Sequence, residues 1–246
     1  MNQRRYRARV REKEWLNEQR VSQLTSLTYH YSMLRGLLVQ PQLPPAIRQV
    51  GLRGFILKLY GELFRWGMEP ESGCRTLRQQ QVKFLKTHFH PDVVIESKSY
   101  AKGVDFWAAQ LDFFTKMHRP RALGDVQVDK VDAEGEIFRA YGQTQLTVTR
   151  EAIEAFYPYM LMNQDFLAQV VDQTIVLNSK HTFYFDQQNR IRYFVYELDF
   201  VQGWAQLIKD PLELVNVVQF RNMDNVYASK ETIDEWAHRE ALYART

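Results

Sequence analysis

A histidine-rich run in the first half of the chain has the residue types of a metal site. His88, His90 and Asp92 alternate with Phe89 and Pro91 in the string His-Phe-His-Pro-Asp. Imidazole and carboxylate groups at such spacing can ligate a metal ion. However, no Glu-rich partner helix accompanies them, and an acid directly after a proline is typical of a turn. The sequence therefore predicts a turn here and no metal site.

Three other polar residues are candidates for general acid–base groups, namely Asp105, Asp112 and His181. His181 falls on the apolar face of a predicted hairpin, where a lone histidine is more commonly a hydrogen-bonded core residue. Asp105 stands early in a predicted helix, where the helix dipole favours a solvent-facing carboxylate. The sequence has no Gly-rich phosphate loop, no Gly-x-Ser-x-Gly motif and no Cys/His nucleophile pair. These observations predict that the chain is not an enzyme and uses no cofactor.

The opening segment carries a strong local positive charge. Residues 4–13 include six basic residues and one acid, whereas the net charge of the whole chain is only +3. The basic residues are Arg4, Arg5, Arg7, Arg9, Arg11 and Lys13. Basic side chains on a helix can neutralise nucleic-acid phosphates, which gives salt-dependent binding without sequence specificity. The segment therefore predicts contact with a polyanion, and the structural alternatives are a solvated basic helix end or a disordered arm.

A helix with a short zipper-like pattern is predicted to follow these arginines. Residues 4–38 contain no proline, and leucines recur at spacings of three, four, seven and eight. The zipper positions are Val21, Leu24, Tyr31 and Leu38. Asn17, Thr28 and Arg35 fall on the same seam, so the predicted coiled coil is weak as well as short.

The rest of the chain alternates between helical and strand periodicity. Helices are predicted at 47–66, 77–88, 104–117, 150–156, 163–170 and 203–217, the last broken by Pro211, with strands at 93–95, 126–128 and 137–148. A long hairpin is predicted at 175–200 around the turn Asp186-Gln187-Gln188-Asn189. Helices followed by antiparallel strands predict an α+β domain whose curved antiparallel sheet packs on helices and encloses a pocket.

These patterns divide the chain into four segments. We expect a basic region and zipper-like helix at 1–38, a proline-rich linker at 39–46, an α+β cone domain at 47–226 and a polar C-terminal helix or tail at 227–246. The single cysteine excludes an intrachain disulfide and fits a reducing compartment. The sequence has neither an apolar run long enough for a membrane span nor an apolar secretory signal at its start. We therefore expect an intracellular protein with no membrane partner.

The order of these segments resembles that of oomycete-type bZIP-like proteins. The resemblance lies in the opening Asn2-Gln3-Arg4-Arg5-Tyr6-Arg7, the short zipper, and the strings FLKTHFHPDVVIES and TVTREAIEAFYPYM. In that family a divergent basic leucine zipper precedes a cone domain of the SnoaL-like or nuclear-transport-factor type. The resemblance implies a nuclear, DNA-binding transcriptional regulator, acting as a homo- or heterodimer, with a non-catalytic cone.

The same resemblance assigns roles to the arginines. Arg7 matches the family's arginine that contacts DNA phosphate and base, and the remaining phosphate-contacting positions are matched by Arg4, Arg5, Arg9 and Arg11. The base-reading residue of a bZIP helix lies eight residues before that arginine, which falls before Met1 in this chain. We therefore expect weak or nonspecific binding to the DNA backbone. Two alternatives remain open: a small-molecule-binding or enzymatic cone protein, and a scaffold that dimerises through both parts.

Overall fold

The computed structural model describes residues 45–70, 73–96 and 101–219, isolated helical positions between Asn17 and Arg35, and residues 234 and 238. Its elements are α1 (Pro45–Leu63), α2 (Arg75–His88), β1 (Phe89–Glu96), β2 (Ala101–Lys102), α3 (Val104–His118), β3 (Arg121–Lys130), β4 (Ile137–Thr147), α4 (Arg150–Phe156), a 3-10 helix (Pro158–Met162), α5 (Gln164–Val170), β5 (Thr174–Phe185), β6 (Ile191–Leu198), α6 (Phe200–Ala205) and α7 (Pro211–Gln219). The predicted α+β class is confirmed.

The six strands form one mixed sheet in the order β2-β1-β6-β5-β4-β3. All neighbouring strands are antiparallel except β1 and β6, which run parallel. The prediction of a wholly antiparallel sheet is therefore wrong. Strand β5 already has β4 and β6 as neighbours, so β1 pairs at the remaining edge of the hairpin, on β6. A pairing across about a hundred residues leaves no local sequence pattern that fixes its direction.

The predicted hairpin is confirmed and has a well-defined turn. The carboxylate of Asp186 accepts hydrogen bonds from the backbone N–H groups of Gln188 and Arg190, both at 2.9 Å. Asn189 adopts a left-handed conformation with φ 61°, which asparagine tolerates better than most residues. The turn sets the register, in which Ser179, His181 and Phe183 face Leu198, Tyr196 and Phe194 across the two strands.

Two of the short helices, α4 and α5, begin at side-chain caps. The Thr149 hydroxyl accepts a hydrogen bond from Ala152 N at 3.0 Å and donates one to Met117 O at 2.6 Å. The predicted helix at 150–156 is therefore confirmed, and its cap also joins it to the end of α3. Asn163 caps α5 in the same way by accepting from Phe166 N at 3.1 Å.

Two hydrophobic cores lie along the sheet. In the first core, helices α1, α2 and α3 pack on the half of the sheet that contains Phe183 and Phe194. In the second core, the 3-10 helix and α4 to α7 pack near the other end of strands β4 and β5, around Trp204. Among the described residues no helix is long and apolar enough to cross a membrane.

Parts of the opening segment can also be placed. Leu27 is buried in the first core, and Arg20 forms an ion pair with Glu69 at 2.6 Å, so this helix contacts the domain. The predicted zipper positions Val21, Leu24 and Tyr31 are exposed on the single chain. Leu38, the arginines of residues 4–11 and most of the predicted C-terminal helix lie outside the described residues. An N-terminal bZIP helix is therefore not confirmed.

Candidate active site

A cavity of about 140 Å³ lies between α1, α3 and the concave face of the sheet. Its lining is mostly apolar, with Leu57 on α1, Phe64 directly after α1, Leu111 on α3 and Val126 on β3. An apolar cavity of about 150 Å³ in another protein stays dry and holds a benzene molecule. The cavity is therefore large enough for a single-ring molecule.

Small residues on the sheet create this space. Ala140 and Gly142 lie side by side on one face of β4 and pair with His181 and Ser179 of β5. A Cβ atom placed on Gly142 would meet only the hydroxyl oxygen of Ser179, at 3.5 Å, which is an ordinary contact. Towards the ends of the same faces lie the large buried side chains of Phe138, Leu146, Leu177 and Phe183. The cavity is therefore a property of the sheet sequence at these few sites.

His181 lines the cavity, and its pKa is lowered from the ordinary value of a histidine. Its ring lies 6.2 Å from the ring of Phe183 and 5.7 Å from that of Phe194. Burial lowers the pKa of His181 to about 4, although the negative charge of Glu197 partly opposes the change. Among the described residues no hydrogen bond is made to its imidazole. At neutral pH the ring is therefore uncharged and available as a proton acceptor.

Three aromatic side chains with polar tips surround the same end of the cavity: Tyr60, Trp107 and Tyr196. Burial raises the pKa of the Tyr60 phenol, the Trp107 N–H lowers it in part, and Tyr196 raises it again. The net shift is upward, so Tyr60 remains protonated at neutral pH. The indole N–H of Trp107 is buried and has no hydrogen-bond partner of good geometry. This end of the cavity thus combines one acceptor, His181, with uncharged donors.

The other candidate residues lie away from the cavity. Asp105 is exposed in the first turn of α3, as predicted. Asp112 forms an ion pair with Arg78 at 2.9 Å and lies outside the cavity lining. His181, by contrast, does not behave as the expected hydrogen-bonded core residue. It faces the cavity because residues on both neighbouring strands alternate, which places it opposite Ala140 and Tyr196.

The histidine-rich run forms the junction between α2 and β1. His88 lies against the ring of Phe84, with 4.6 Å between the ring centroids, and burial lowers its pKa. His90 Nδ1 accepts a hydrogen bond from Asp92 N at 3.1 Å. Within the described part of the chain, no three His, Cys, Asp or Glu side chains come together as a metal site would require.

Sequence reasoning missed three of the four polar aromatic residues discussed above, namely Tyr60, Trp107 and Tyr196. Tyr60 and Trp107 belong to apolar stripes with helical spacing, which predict core positions and give no information about an adjacent space. Tyr196 was accessible to prediction, because the turn at 186–189 sets a register in which residue 181 faces residue 196. The inward faces of α1 and α3 converge on that pair only through tertiary packing.

No family model matches the chain, and no curated protein matches it either. Its fold is similar to that of a protein from Xanthomonas campestris pv. campestris provisionally named a polyketide cyclase, with 14% identity over 65% of this chain and 98% of that one and a TM-score of 0.45. A provisionally named SnoaL-like polyketide cyclase from Jannaschia sp. CCS1 is 14% identical over 69% and 99% of the two chains, with a TM-score of 0.41. An LEH-like epoxide hydrolase from M. tuberculosis is 14% identical over 56% and 84%, with a TM-score of 0.33.

These comparisons concern the fold, a SnoaL-like α+β cone, and carry nothing about a substrate. They do overturn two predictions made from the sequence. The predicted DNA-binding regulator is wrong, because the solved structures returned by the comparison are named polyketide cyclases and not bZIP regulators. The prediction that the chain is not an enzyme is wrong for the same reason. The alternative, a small-molecule-binding or enzymatic cone protein, fits the comparisons and the cavity better. The nuclear location and the dimeric state remain predictions.

Proposed function

We propose that this chain binds a small apolar molecule in the cavity and catalyses proton transfer on it through His181. One observation carries the proposal. An uncharged histidine without a hydrogen-bond partner among the described residues faces an apolar cavity that can hold a ring. A buried polar group is normally hydrogen-bonded, so an unpaired acceptor facing a cavity favours a ligand that completes it.

The chemistry follows from the charge state of the imidazole. A neutral ring nitrogen can take a proton from an acidic O–H or C–H group of the ligand, and the electron pair of that bond stays on the ligand. The imidazolium is disfavoured by burial, as the pKa near 4 indicates. It is stabilised only beside the negative charge that develops on the ligand. Returning the proton to another ligand atom regenerates the neutral imidazole and leaves the ligand as its isomer.

A nitrobenzisoxazole tests the base directly. Removal of its ring C–H proton opens the N–O bond and releases a coloured cyanophenolate, so the assay needs no knowledge of the natural substrate. At about pH 6 we expect the protein to accelerate the reaction over buffer, and His181→Phe to lose roughly 100-fold or more of that acceleration. The acceleration should also disappear as the pH falls through about 4, where His181 takes up a proton.

His90→Asn is the matched control, because it removes a histidine outside the cavity and should leave the rate unchanged. Ligand-observed NMR with the same compound establishes whether it binds the protein. If the compound binds and His181→Phe reacts as fast as the wild-type protein, the catalytic part of the proposal is wrong. If neither this compound nor toluene binds, the cavity is not a ligand site and the whole proposal fails.

A further inference from the structure

The inward face of strand β5 is accessible in its middle and buried on either side. Leu177 and Phe183 are buried, whereas Ser179 and His181 lie between them, keep part of their surface accessible and line the cavity. Side chains alternate along a strand, so these four residues share one face of the sheet. The part of this face that a ligand can reach therefore consists of one serine and one histidine.

The Ser179 hydroxyl is a polar group that the acid–base chemistry of His181 does not use. A Cβ atom placed on Gly142, which also lines the cavity, would lie 3.5 Å from Ser179 Oγ, so the hydroxyl is directed over strand β4. In the part of the chain that the structure describes, this hydroxyl makes no hydrogen bond, and its oxygen is not one of the enclosed polar atoms. A serine hydroxyl can donate and accept, so it can pair with a hydroxyl or a carbonyl group of a ligand.

The register of the sheet places small residues opposite both polar side chains. Ala140 pairs with His181, and Gly142 pairs with Ser179. Two residues on one face of a strand are about 7 Å apart, which is similar to the separation of two groups on opposite sides of a six-membered ring. A ring that lies over Ala140 and Gly142, with its long axis along the strands, therefore places one substituent beside His181 and the opposite one beside Ser179.

The charges around the cavity decide what kind of group can bind at Ser179. Lys180 and Glu197 form an ion pair at 2.6 Å, and the alternation of the strands places both on the other face of the sheet. Arg65 is the one Arg or Lys side chain among the described lining residues, and the Glu62 carboxylate already pairs with it at 2.7 Å. An ionised substituent would therefore be desolvated without a counter-charge, which is costly. An uncharged hydroxyl or carbonyl group has no such cost.

We infer that Ser179 is a specificity-determining residue that hydrogen-bonds to a second, uncharged polar group of the ligand. The substrate class is then a single ring with polar substituents on opposite sides, one beside His181 and one beside Ser179. The inference rests on the proposed function, because it takes His181 as the partner of the first substituent. Ser179 takes no part in the proton transfer. It orients the ligand so that the acidic group, and not the other end of the ring, meets the imidazole.

The compounds 4-ethylphenol and 4-hydroxybenzyl alcohol are matched probes of this contact. Both carry a phenol O–H that can donate to His181, and they differ only in a terminal methyl or hydroxyl group on the opposite side of the ring. In Ser179→Ala we expect the alcohol to bind about three- to tenfold more weakly than it binds the wild-type protein, as the loss of one uncharged hydrogen bond would give. The affinity for 4-ethylphenol should not fall. NMR titrations of the full chain measure the dissociation constants.

Thr144→Val is the matched control, because it removes a second hydroxyl from the cavity lining with little change in size. Thr144 pairs with Leu177 and so lies one step further from His181 along the sheet. This variant should weaken the binding of the alcohol no more than that of 4-ethylphenol. A selective loss of alcohol binding in Thr144→Val, without one in Ser179→Ala, would assign the contact to the wrong residue and overturn the inference.

The meta isomers, 3-ethylphenol and 3-hydroxybenzyl alcohol, test the distance in the wild-type protein, so this result does not depend on the folding of a variant. Each pair of isomers exchanges the same methyl for the same hydroxyl, so the cost of removing that hydroxyl from water cancels between the pairs. The affinity of the alcohol relative to the ethylphenol should be at least about threefold higher for the para pair than for the meta pair.

The outcomes separate this inference from the proposed function. Equal ratios for the para and meta pairs, or an alcohol affinity that Ser179→Ala leaves unchanged, overturn the role of Ser179. The proposed function stays intact in that case, because the phenols still bind. If none of the four compounds binds the wild-type protein, the proposed function itself fails.

Discussion

The two cores of this domain contain the same kinds of residue and differ in whether space lies beside them. Each has a buried tryptophan whose N–H has no hydrogen-bond partner of good geometry among the described residues, Trp107 in the first core and Trp204 in the second. Each also has a histidine among aromatic rings. His118 stacks on Phe156 with 5.1 Å between ring centroids, whereas His181 faces the cavity. The comparison teaches that buried polar aromatics do not identify a site until the neighbouring volume is known.

The residues on the sheet explain the difference. In the second core Leu146, Ile175 and Leu177 fill the concave face, and α6 crosses it so closely that a Cβ atom on Gly203 would collide with Leu177. In the first core Ala140, Gly142 and Ser179 occupy the positions opposite α1 and α3, and the space remains open. The same two strands, β4 and β5, therefore support a filled core at one end and a cavity at the other.

The largest expected effect is a loss of stability at acid pH, and His181 is its cause. Above its ordinary pKa of 6.5 the imidazole is neutral in the folded and unfolded chain. As the pH falls from 6.5 to about 4, the unfolded chain takes up the proton and the folded chain does not, so the free energy of unfolding falls by about 3 kcal/mol in total and by about 2 kcal/mol at pH 5. Urea unfolding at about pH 7.5 and pH 5 measures this loss.

His181→Phe should remove that part of the pH dependence, because phenylalanine has no proton to bind. The lowered pKa of His88 contributes in the same direction and remains in the variant. His90→Asn is again the control and should keep the wild-type dependence. An unchanged loss between the two pH values in His181→Phe would mean that burial does not suppress protonation of this ring.

Replacing one glycine in each core by alanine should give the second-largest difference in stability between the two cores. Gly203→Ala places a methyl group against Leu177 and at 3.4 Å from Ile175, so we expect a destabilisation of about 1–3 kcal/mol, reduced by the higher helix propensity of alanine. Gly142→Ala meets only Ser179 at an ordinary distance and should change the free energy of unfolding by less than about 0.5 kcal/mol. Equal effects in thermal or urea unfolding would contradict the contrast between filled and open cores.

A substitution that fills the cavity should weaken ligand binding and change the stability of the protein only slightly. Gly142→Val adds a branched side chain on the cavity side of β4, where valine also suits a strand. We expect toluene to bind roughly tenfold more weakly while the free energy of unfolding changes by less than about 1 kcal/mol. Ala133→Val, in the exposed β3–β4 turn, is a control that should leave binding unchanged. Unaltered toluene affinity in Gly142→Val would place the ligand elsewhere.

Local chemistry made much of the fold predictable from the sequence. The turn residues Asp186 and Asn189 and the alternation on either side predict the hairpin, and Thr149 predicts the start of a helix, because each effect acts within a few residues. The parallel pairing of β1 with β6 was not predictable, since it joins segments about a hundred residues apart. The resemblance of the opening segment to bZIP-like proteins led to a wrong function, because charge and heptad spacing carry no information about a cavity elsewhere in the chain.

The sequence by itself determined the α+β class, the hairpin register that sets Tyr196 opposite His181, and the caps at Thr149 and Asn163 that start α4 and α5. Only the tertiary structure decided which aromatic residues are core and which line a site. Tyr60 and Trp107 lie on different helices, and they reach His181 because those helices pack over the small residues Ala140 and Gly142. Periodicity specifies which face of an element is buried, whereas the volume left between two buried faces depends on both together.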